Sequence, residues 1–128
     1  MIDTSALIVA MTGRSPEAKM LQGRLQCNVC HAPHLIDAGA GNVLRRLVHT
    51  GAIGAQFGLT ALRAVRDAID ERPPYSGSIA ETAWSLRDNL TYEDGLYVAL
   101  AAELDLPLVT ADRRLARAPG LPRSAELV

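Results

Sequence analysis

Strand-like segments in this chain are short, and longer helix-like segments separate them. Residues 106–110 read LPLVT, a run of the kind that forms a buried strand, and residues 125–128 offer a short edge strand near the end. Elsewhere the apolar residues recur three or four positions apart, which is the spacing of one helix face. Short parallel strands that alternate with helices pack as a sheet covered by helices on both faces. The pattern therefore predicts an α/β fold, a three-layer α/β/α sandwich with a short-stranded, mainly parallel central sheet.

Local signals predict the other elements. Ser15 followed by Pro16 marks a helix start, with an N-cap and then proline at the first helical position. Short strands are expected at 1–3, at 27–31, where polar and apolar residues alternate, and at 75–76. The remaining helices are expected from Ser5 onward, over 36–49, from 59 to the stop at Arg72-Pro73-Pro74, over 79–90 and over 92–104.

Composition limits the class of protein. A chain of 128 residues, 48% of them hydrophobic, has the size and core of one domain, so residues 1–128 are expected to form a single domain. The net charge of −1 excludes a polycation that holds nucleic acid by bulk electrostatics. One Phe, one Trp and three Tyr argue against an aromatic platform for stacking single-stranded bases. Any contact with nucleic acid must therefore be local.

The first residues, MIDTSALIVAM, are apolar but have no basic segment before them and include Asp3. Neither a secretory signal nor a membrane span is expected there, so the expected location is the cytoplasm, with no membrane partner. Residues 27–31, CNVCH, match the pattern of covalent haem attachment, but attachment normally requires export, so no haem is expected. A zinc or redox role for Cys27 and Cys30 stays open, and two reduced thiols near the core are the favoured interpretation.

The helix expected over 36–49 contains two glycines, Gly39 and Gly41, on either side of one alanine. A glycine inside a helix costs about 1 kcal/mol relative to alanine. Either the backbone passes close to another group there, or a side chain has been lost.

Three aspartates lie where helices are expected to begin. Asp3 follows the first strand, Asp112 follows the strand at 106–110, and Asp94 lies in the first turn of the helix before that strand. Each by itself is a candidate helix cap, and Thr91 with Asp94 resembles a capping box with Asp in place of Glu. As a set they are expected to converge, because the carboxyl ends of parallel strands open on one edge of a sheet.

Crowded carboxylates repel one another and are usually found together only when a cation neutralises them. Oxygen ligands without a cluster of His or Cys point to Mg²⁺, or Mn²⁺ in its place, and not to zinc. A metal-dependent phosphodiesterase needs such a site, because its metal activates water and neutralises charge that develops on the phosphate.

Four segments together resemble a known family. They are MIDTSAL at the N-terminus, NVLRR at 42–46, DGLYVALAAEL at 94–104 and PLVTADRRL at 107–115. Over almost its whole length the chain is similar to the PIN-domain ribonucleases and, among them, to VapC-type toxins of bacterial toxin–antitoxin pairs.

The resemblance implies roles for particular residues. Asp3, Asp94 and Asp112 match three of the family's four metal-site acids. Four further positions match residues that line such a site: Ser5, Thr110, Asn42 and Gly39. Two more, Arg45 and Arg46, match basic residues beside it. The arginines are candidates for RNA phosphate contact, with the solvated face of the helix as the alternative.

The family's fourth acid is a Glu three residues before the Asn, and here that position is Gly39. The resemblance therefore explains Gly39 as a lost side chain that no local backbone need demands. Asp37 lies about 200° around the helix from Gly39, and Glu93 projects about 100° from Asp94, so neither is expected to replace the missing carboxylate.

The resemblance implies an endoribonuclease toxin with Mg²⁺ or Mn²⁺ that leaves 3′-hydroxyl and 5′-phosphate ends, with cleavage strongly impaired by Gly39. The implied partners are a cognate antitoxin, an RNA substrate and a second copy of the chain in a homodimer. The alternative is a PIN-fold binding module that has lost hydrolysis and retains antitoxin or RNA binding. A two-component receiver domain shares the layered shape, but this chain lacks a plausible phosphoacceptor Asp and a late Lys partner.

Overall fold

A computed structural model describes all 128 residues of the chain. It contains seven helices and two strands, which are α1 (Thr4–Thr12), α2 (Pro16–Cys27), α3 (Leu35–His49), α4 (Ala55–Ala68), α5 (Ser78–Ser85), α6 (Tyr92–Glu103), β1 (Leu108–Thr110), α7 (Arg113–Ala116) and β2 (Ala125–Leu127). No helix has both the length and the apolar character needed to cross a membrane.

The sheet is parallel and very narrow. Strands β1 and β2 pair in parallel, with Leu108 opposite Ala125. On the other side of β1, Ile2 forms a parallel bridge with Val109, and farther out His31 forms one with Glu71. The Ile2 amide also donates to the His31 carbonyl at 3.1 Å, so the segments lie side by side. The predicted α/β class with a small, mainly parallel sheet is confirmed.

The expected strands at 1–3 and 27–31 are reduced to single bridges, at Ile2 and at His31. At 27–31 the strand prediction is wrong for Cys27, which ends α2 because the Asn28 side chain donates to the Arg24 carbonyl and closes the last turn. The expected strand at 75–76 is absent, and α5 ends at Ser85, well before residue 90. Helix α4 begins at Ala55, four positions earlier than expected, after Gly54 as its cap.

The two cysteines differ in their surroundings. Cys30 is buried in the core and Cys27 is exposed, and both are free thiols. Burial raises the pKa of the Cys30 thiol to about 11, so that thiol is unreactive at neutral pH. The expectation of two reduced thiols near the core is therefore correct for Cys30. Cys27 is also a free thiol, but it lies at the surface and not near the core.

The core is built around α1 and α6. In α6 every residue from Gly95 to Ala101 is buried, and in α1 Ala6, Leu7 and Ile8 are buried. Both helices lie against β1, whose three residues are all buried. Because α1 follows Ile2 directly, the first turn of α1 lies at the carboxyl end of the sheet, next to the end of β1.

Replacing Gly41 with alanine is expected to stabilise the protein by about 0.5–1 kcal/mol. A Cβ at Gly41 meets only Leu62 Cδ1, at an ordinary contact distance of 3.8 Å, so the added methyl group fits. Urea unfolding of Gly41→Ala measures the change. The control is Gly51→Ala: Gly51 has φ of +74°, which alanine adopts only with strain, so this variant should lose stability. A Gly41→Ala protein less stable than the parent would contradict the interpretation that a methyl group fits between α3 and α4 at this position.

Candidate active-site cleft

One open cleft of about 540 Å³ lies where the first turns of α1 and α6 meet the middle of α3. It collects most of the predicted site residues, namely Asp3, Ser5, Gly39, Asn42, Arg46, Asp94 and Asp112. The cleft also has lining residues that were not expected, among them Thr4, Glu93 and Tyr97. Asp3, Asp94 and Asp112, which were expected to converge, all line this one cleft.

Asp3 is the most deeply buried acid of the cleft, with 5% of its surface exposed. As predicted for a cap, its Oδ1 accepts hydrogen bonds from the Ala6 amide and the Ser5 hydroxyl, both at 2.8 Å. Its Oδ2 accepts from the Thr110 hydroxyl at 2.5 Å. Burial raises the pKa of Asp3 in spite of these bonds, and the nearby charge of Asp94 raises it further. An ionised Asp3 therefore favours a cation beside it.

Ser5 and Thr110 join Asp3 to the segment that carries Asp112. The Thr110 side chain is fully buried, and its Oγ1 accepts from the Asp112 amide at 3.0 Å. The Ser5 Oγ accepts from the Ala111 amide at 2.9 Å. These hydroxyls hold the end of β1 against the start of α1, so they position Asp3 and Asp112 relative to each other.

Asp112 is the N-cap of the short helix α7, as predicted. Its Oδ1 accepts from the Arg114 amide at 2.7 Å, and its Oδ2 accepts from the exposed Arg114 guanidinium at 3.2 Å. Partial burial alone would raise the pKa of Asp112, but the bonds from Arg114 and the Leu115 amide outweigh it and lower the pKa. Asp112 is therefore ionised at neutral pH, and it lines the cleft.

Asp94 lies in the first turn of α6, where the helix dipole favours a negative charge. Thr91 caps the helix by accepting from the Asp94 amide at 3.1 Å, as expected. In a capping box the second side chain would accept from the backbone amide of the N-cap residue. Here Asp94 Oδ2 accepts instead from the Thr91 hydroxyl at 2.8 Å, because the Asp side chain is one methylene shorter than Glu. One carboxylate oxygen of Asp94 is left without a protein donor.

Gly39 has a neighbour that the sequence did not indicate. A Cβ built there would lie 2.7 Å from Thr4 Oγ1, too close for the present arrangement. Thr4 is held in place by a 2.9 Å hydrogen bond between its hydroxyl and that of Tyr97. Gly39 has ordinary helical backbone, so no backbone need demands a glycine there, but a side chain at residue 39 would have to displace the Thr4 side chain.

Glu93 lines the cleft, although it was expected to be poorly directed toward the site. Its Oε1 lies 3.6 Å from the point where a Cβ on Gly39 would stand. Glu93 leaves α6 about 100° from Asp94, but its side chain is long enough to reach the cleft. Asp37 does face away as expected, and it forms a two-bond ion pair with Arg72 at 2.9 and 3.1 Å.

The structure separates the two predicted RNA-binding arginines. Arg46 lines the acidic cleft together with Asn42. Arg45 lies instead in a second groove between α3 and α4, beside His49 and Leu62. Consecutive helix residues point about 100° apart, which accounts for the separation.

The possible metal ligands of the cleft suit a hard divalent cation, because they are carboxylate, amide and hydroxyl oxygens. No three His, Cys, Asp or Glu side chains in the chain converge closely enough to surround an ion by themselves. Mg²⁺ commonly needs only one or two carboxylates and keeps several waters, so the residues fit an ion of that kind. Asp3, Asp94 and Asp112 are the residues that would hold it.

Comparisons with known proteins identify the family of the chain. The family model of the PIN domain matches residues 1–121. Ribonuclease VapC1 of Mycobacterium tuberculosis is 45% identical over 127 residues, which cover 99% of this chain and 96% of the relative. Ribonuclease VapC9 of the same organism is 36% identical over 89% of this chain and 86% of its own. Ribonuclease VapC12 is 32% identical over 99% of this chain and 97% of its own. The chain therefore belongs to the PIN-domain family and, within it, to the VapC type.

Proposed function

We propose that this protein is a metal-dependent endoribonuclease toxin of a type II toxin–antitoxin pair and that it cleaves RNA in the acidic cleft. The observation that carries the proposal is the placement of buried Asp3 and half-buried Asp94 and Asp112 around one open cleft. The names of the relatives, ribonucleases VapC1, VapC9 and VapC12, support the same activity.

The three aspartates bind the cation, Mg²⁺ or Mn²⁺. When bound, the cation supplies a water of lowered pKa and neutralises charge on the scissile phosphate. Ser5 and Thr110 hold the Asp3 carboxylate in one orientation through the hydrogen bonds described above. The cleavage products carry a 3′-hydroxyl and a 5′-phosphate.

Asn42 and Arg46 lie at the α3 side of the cleft and face its carboxylates. A guanidinium there attracts a backbone phosphate and orients it toward the acidic residues, and the Asn42 amide donates to phosphate or ribose oxygens. Arg45, in the other groove, does not take part in the same contact.

Cleavage is slow in this chain, because position 39 supplies no carboxylate. Losing one acidic ligand weakens the hold on the cation and removes a group that orients the attacking water. Gly39 also favours a second candidate function, a PIN-fold module that binds antitoxin or RNA without cutting. Binding of either partner without any RNA turnover distinguishes that function from the enzyme.

The antitoxin partner is proposed to place a cationic side chain in the acidic cleft, where an Arg or Lys would neutralise the carboxylates. A homodimer is proposed as the assembly. Exposed apolar side chains of α4, Phe57, Leu59 and Leu62, lie outside the acidic cleft and leave it accessible.

The test is RNA cleavage by the parent protein with Mg²⁺, with Mn²⁺ and with EDTA, beside Asp94→Asn. We expect weak cleavage that needs the metal and falls at least about 100-fold in Asp94→Asn, since one catalytic-site group typically contributes that much. Asp88→Asn is the matched control, because Asp88 is exposed and lies outside the cleft. Cleavage that survives EDTA or the Asp94→Asn change would refute the proposed function.

A further inference from the structure

Glu93 differs from the three aspartates of the cleft because its carboxylate has no partner in the protein. Each aspartate accepts at least one hydrogen bond from residues near it in sequence. The Glu93 side chain takes part in none of the ion pairs of the chain, and no hydrogen bond reaches it. An exposed glutamate on a helix is often unpaired, but this one lies inside a cleft that contains three other acids. Arg46 lines the same cleft, but no basic side chain forms an ion pair with Glu93.

The position of Glu93 follows from the absence of a side chain at Gly39. The Glu93 Oε1 lies 3.6 Å from the point where a residue 39 Cβ would stand, so a larger residue there would crowd it. The space between α3 and the first turn of α6 is shared by Glu93 and Thr4.

The carboxylates of the cleft act on one common neighbour. Burial raises the pKa of the Tyr97 hydroxyl, and the charges of Asp3, Glu93 and Asp94 each raise it further. Asp3, Glu93 and Asp94 line the same cleft as Tyr97, so the three carboxylates surround a common space. A cation bound by the aspartates would also be attracted by the negative charge of Glu93.

We propose that Glu93 is a further ligand of the divalent cation and that it reaches the site from α6, beside Gly39. It binds the ion directly or through one ordered water, as carboxylates around Mg²⁺ do. This assignment rests on the proposed function, because it concerns the same cation. It makes the site of this chain one of four carboxylates, with two of them on consecutive residues of α6.

The test measures Mn²⁺ binding to the metal-free protein by titration with electron paramagnetic resonance of the free ion. We expect Glu93→Gln to weaken Mn²⁺ binding about tenfold or more, in the range found when groups that support a metal site are removed. Glu93→Asp keeps the charge but shortens the side chain, so it should weaken binding nearly as much. The matched control, Glu81→Gln, changes an exposed acid in the first turn of α5 that lies outside the cleft and should bind Mn²⁺ as the parent does.

Each outcome decides the assignment. Unchanged Mn²⁺ binding in Glu93→Gln, with weaker binding in Asp94→Asn, overturns the role of Glu93 and leaves the proposed function standing. Parent-like binding in Glu93→Asp with loss in Glu93→Gln shows that Glu93 acts by charge alone and also overturns its role as a ligand. Absence of Mn²⁺ binding in the parent refutes both proposals. Circular dichroism melting in EDTA checks that the variants fold, which is expected because Glu93 is exposed and forms no bonds.

Discussion

The Asp3→Asn variant is expected to lose metal-dependent RNA cleavage by at least about 100-fold and to be more stable than the parent when no metal is present. The loss of cleavage follows because asparagine has no negative charge with which to hold the cation. The gain in stability follows because Asp3 is 5% exposed, so its charge is held away from water. The Ser5 hydroxyl and the Ala6 amide still have an oxygen to donate to, and the Thr110 hydroxyl, which donates to the other oxygen of Asp3, accepts from the new NH2 group instead.

The same argument gives a pH dependence. The pKa of Asp3 is raised in the folded protein by burial, so the folded state binds more protons than the unfolded state between the ordinary pKa, about 4, and the raised one. Across that interval this group lowers the free energy of unfolding of the parent as the pH rises. Asp3→Asn removes this contribution, so the difference in stability should grow from acid toward neutral pH.

The measurement is thermal unfolding of both proteins in EDTA from about pH 4 to pH 7, and again with Mn²⁺ at neutral pH. Mn²⁺ should raise the midpoint of the parent and leave that of Asp3→Asn nearly unchanged, because only the parent binds the ion. An Asp3→Asn protein that is less stable than the parent at neutral pH would mean that the hydrogen bonds to the carboxylate outweigh its burial.

The Gly39→Glu variant is expected to cleave RNA about 10- to 100-fold faster than the parent, because it adds a carboxylate to the metal site. The new side chain must displace the Thr4 hydroxyl, which lies 2.7 Å from the Cβ position and is bonded to Tyr97. Rotating Thr4 and breaking that bond should lower stability by about 1 kcal/mol. Greater activity and lower stability are thus expected together.

Gly39→Gln is the matched control, because it adds the same bulk without the charge. It should show the same loss of stability and no gain in cleavage. In addition, Glu93→Gln should reduce cleavage less in the Gly39→Glu protein than in the parent, because the added carboxylate takes over part of its role. Equal activity in Gly39→Glu and Gly39→Gln would show that residue 39 does not limit cleavage here.

Much of the site was predictable from local patterns. Asp3, Asp94 and Asp112 were each predicted at a helix start, and each lies in the first turn or at the cap of its helix. Helix starts are predictable because the capping bonds join residues only two or three positions apart. The weaker predictions were strands, since the pairings at Ile2 and His31 are single bridges that depend on distant partners.

By itself the sequence determined the α/β class, the helix-initiating aspartates and the likeness to the VapC type, because these depend on local periodicity, capping and linear motifs. Only the tertiary structure decided which side chains share the cleft. It placed Thr4 in the space beside Gly39, brought Glu93 to the same point and separated Arg45 from Arg46. The physical reason is that these relations depend on how α1, α3 and α6 pack, and the contacts join residues that are far apart in the chain.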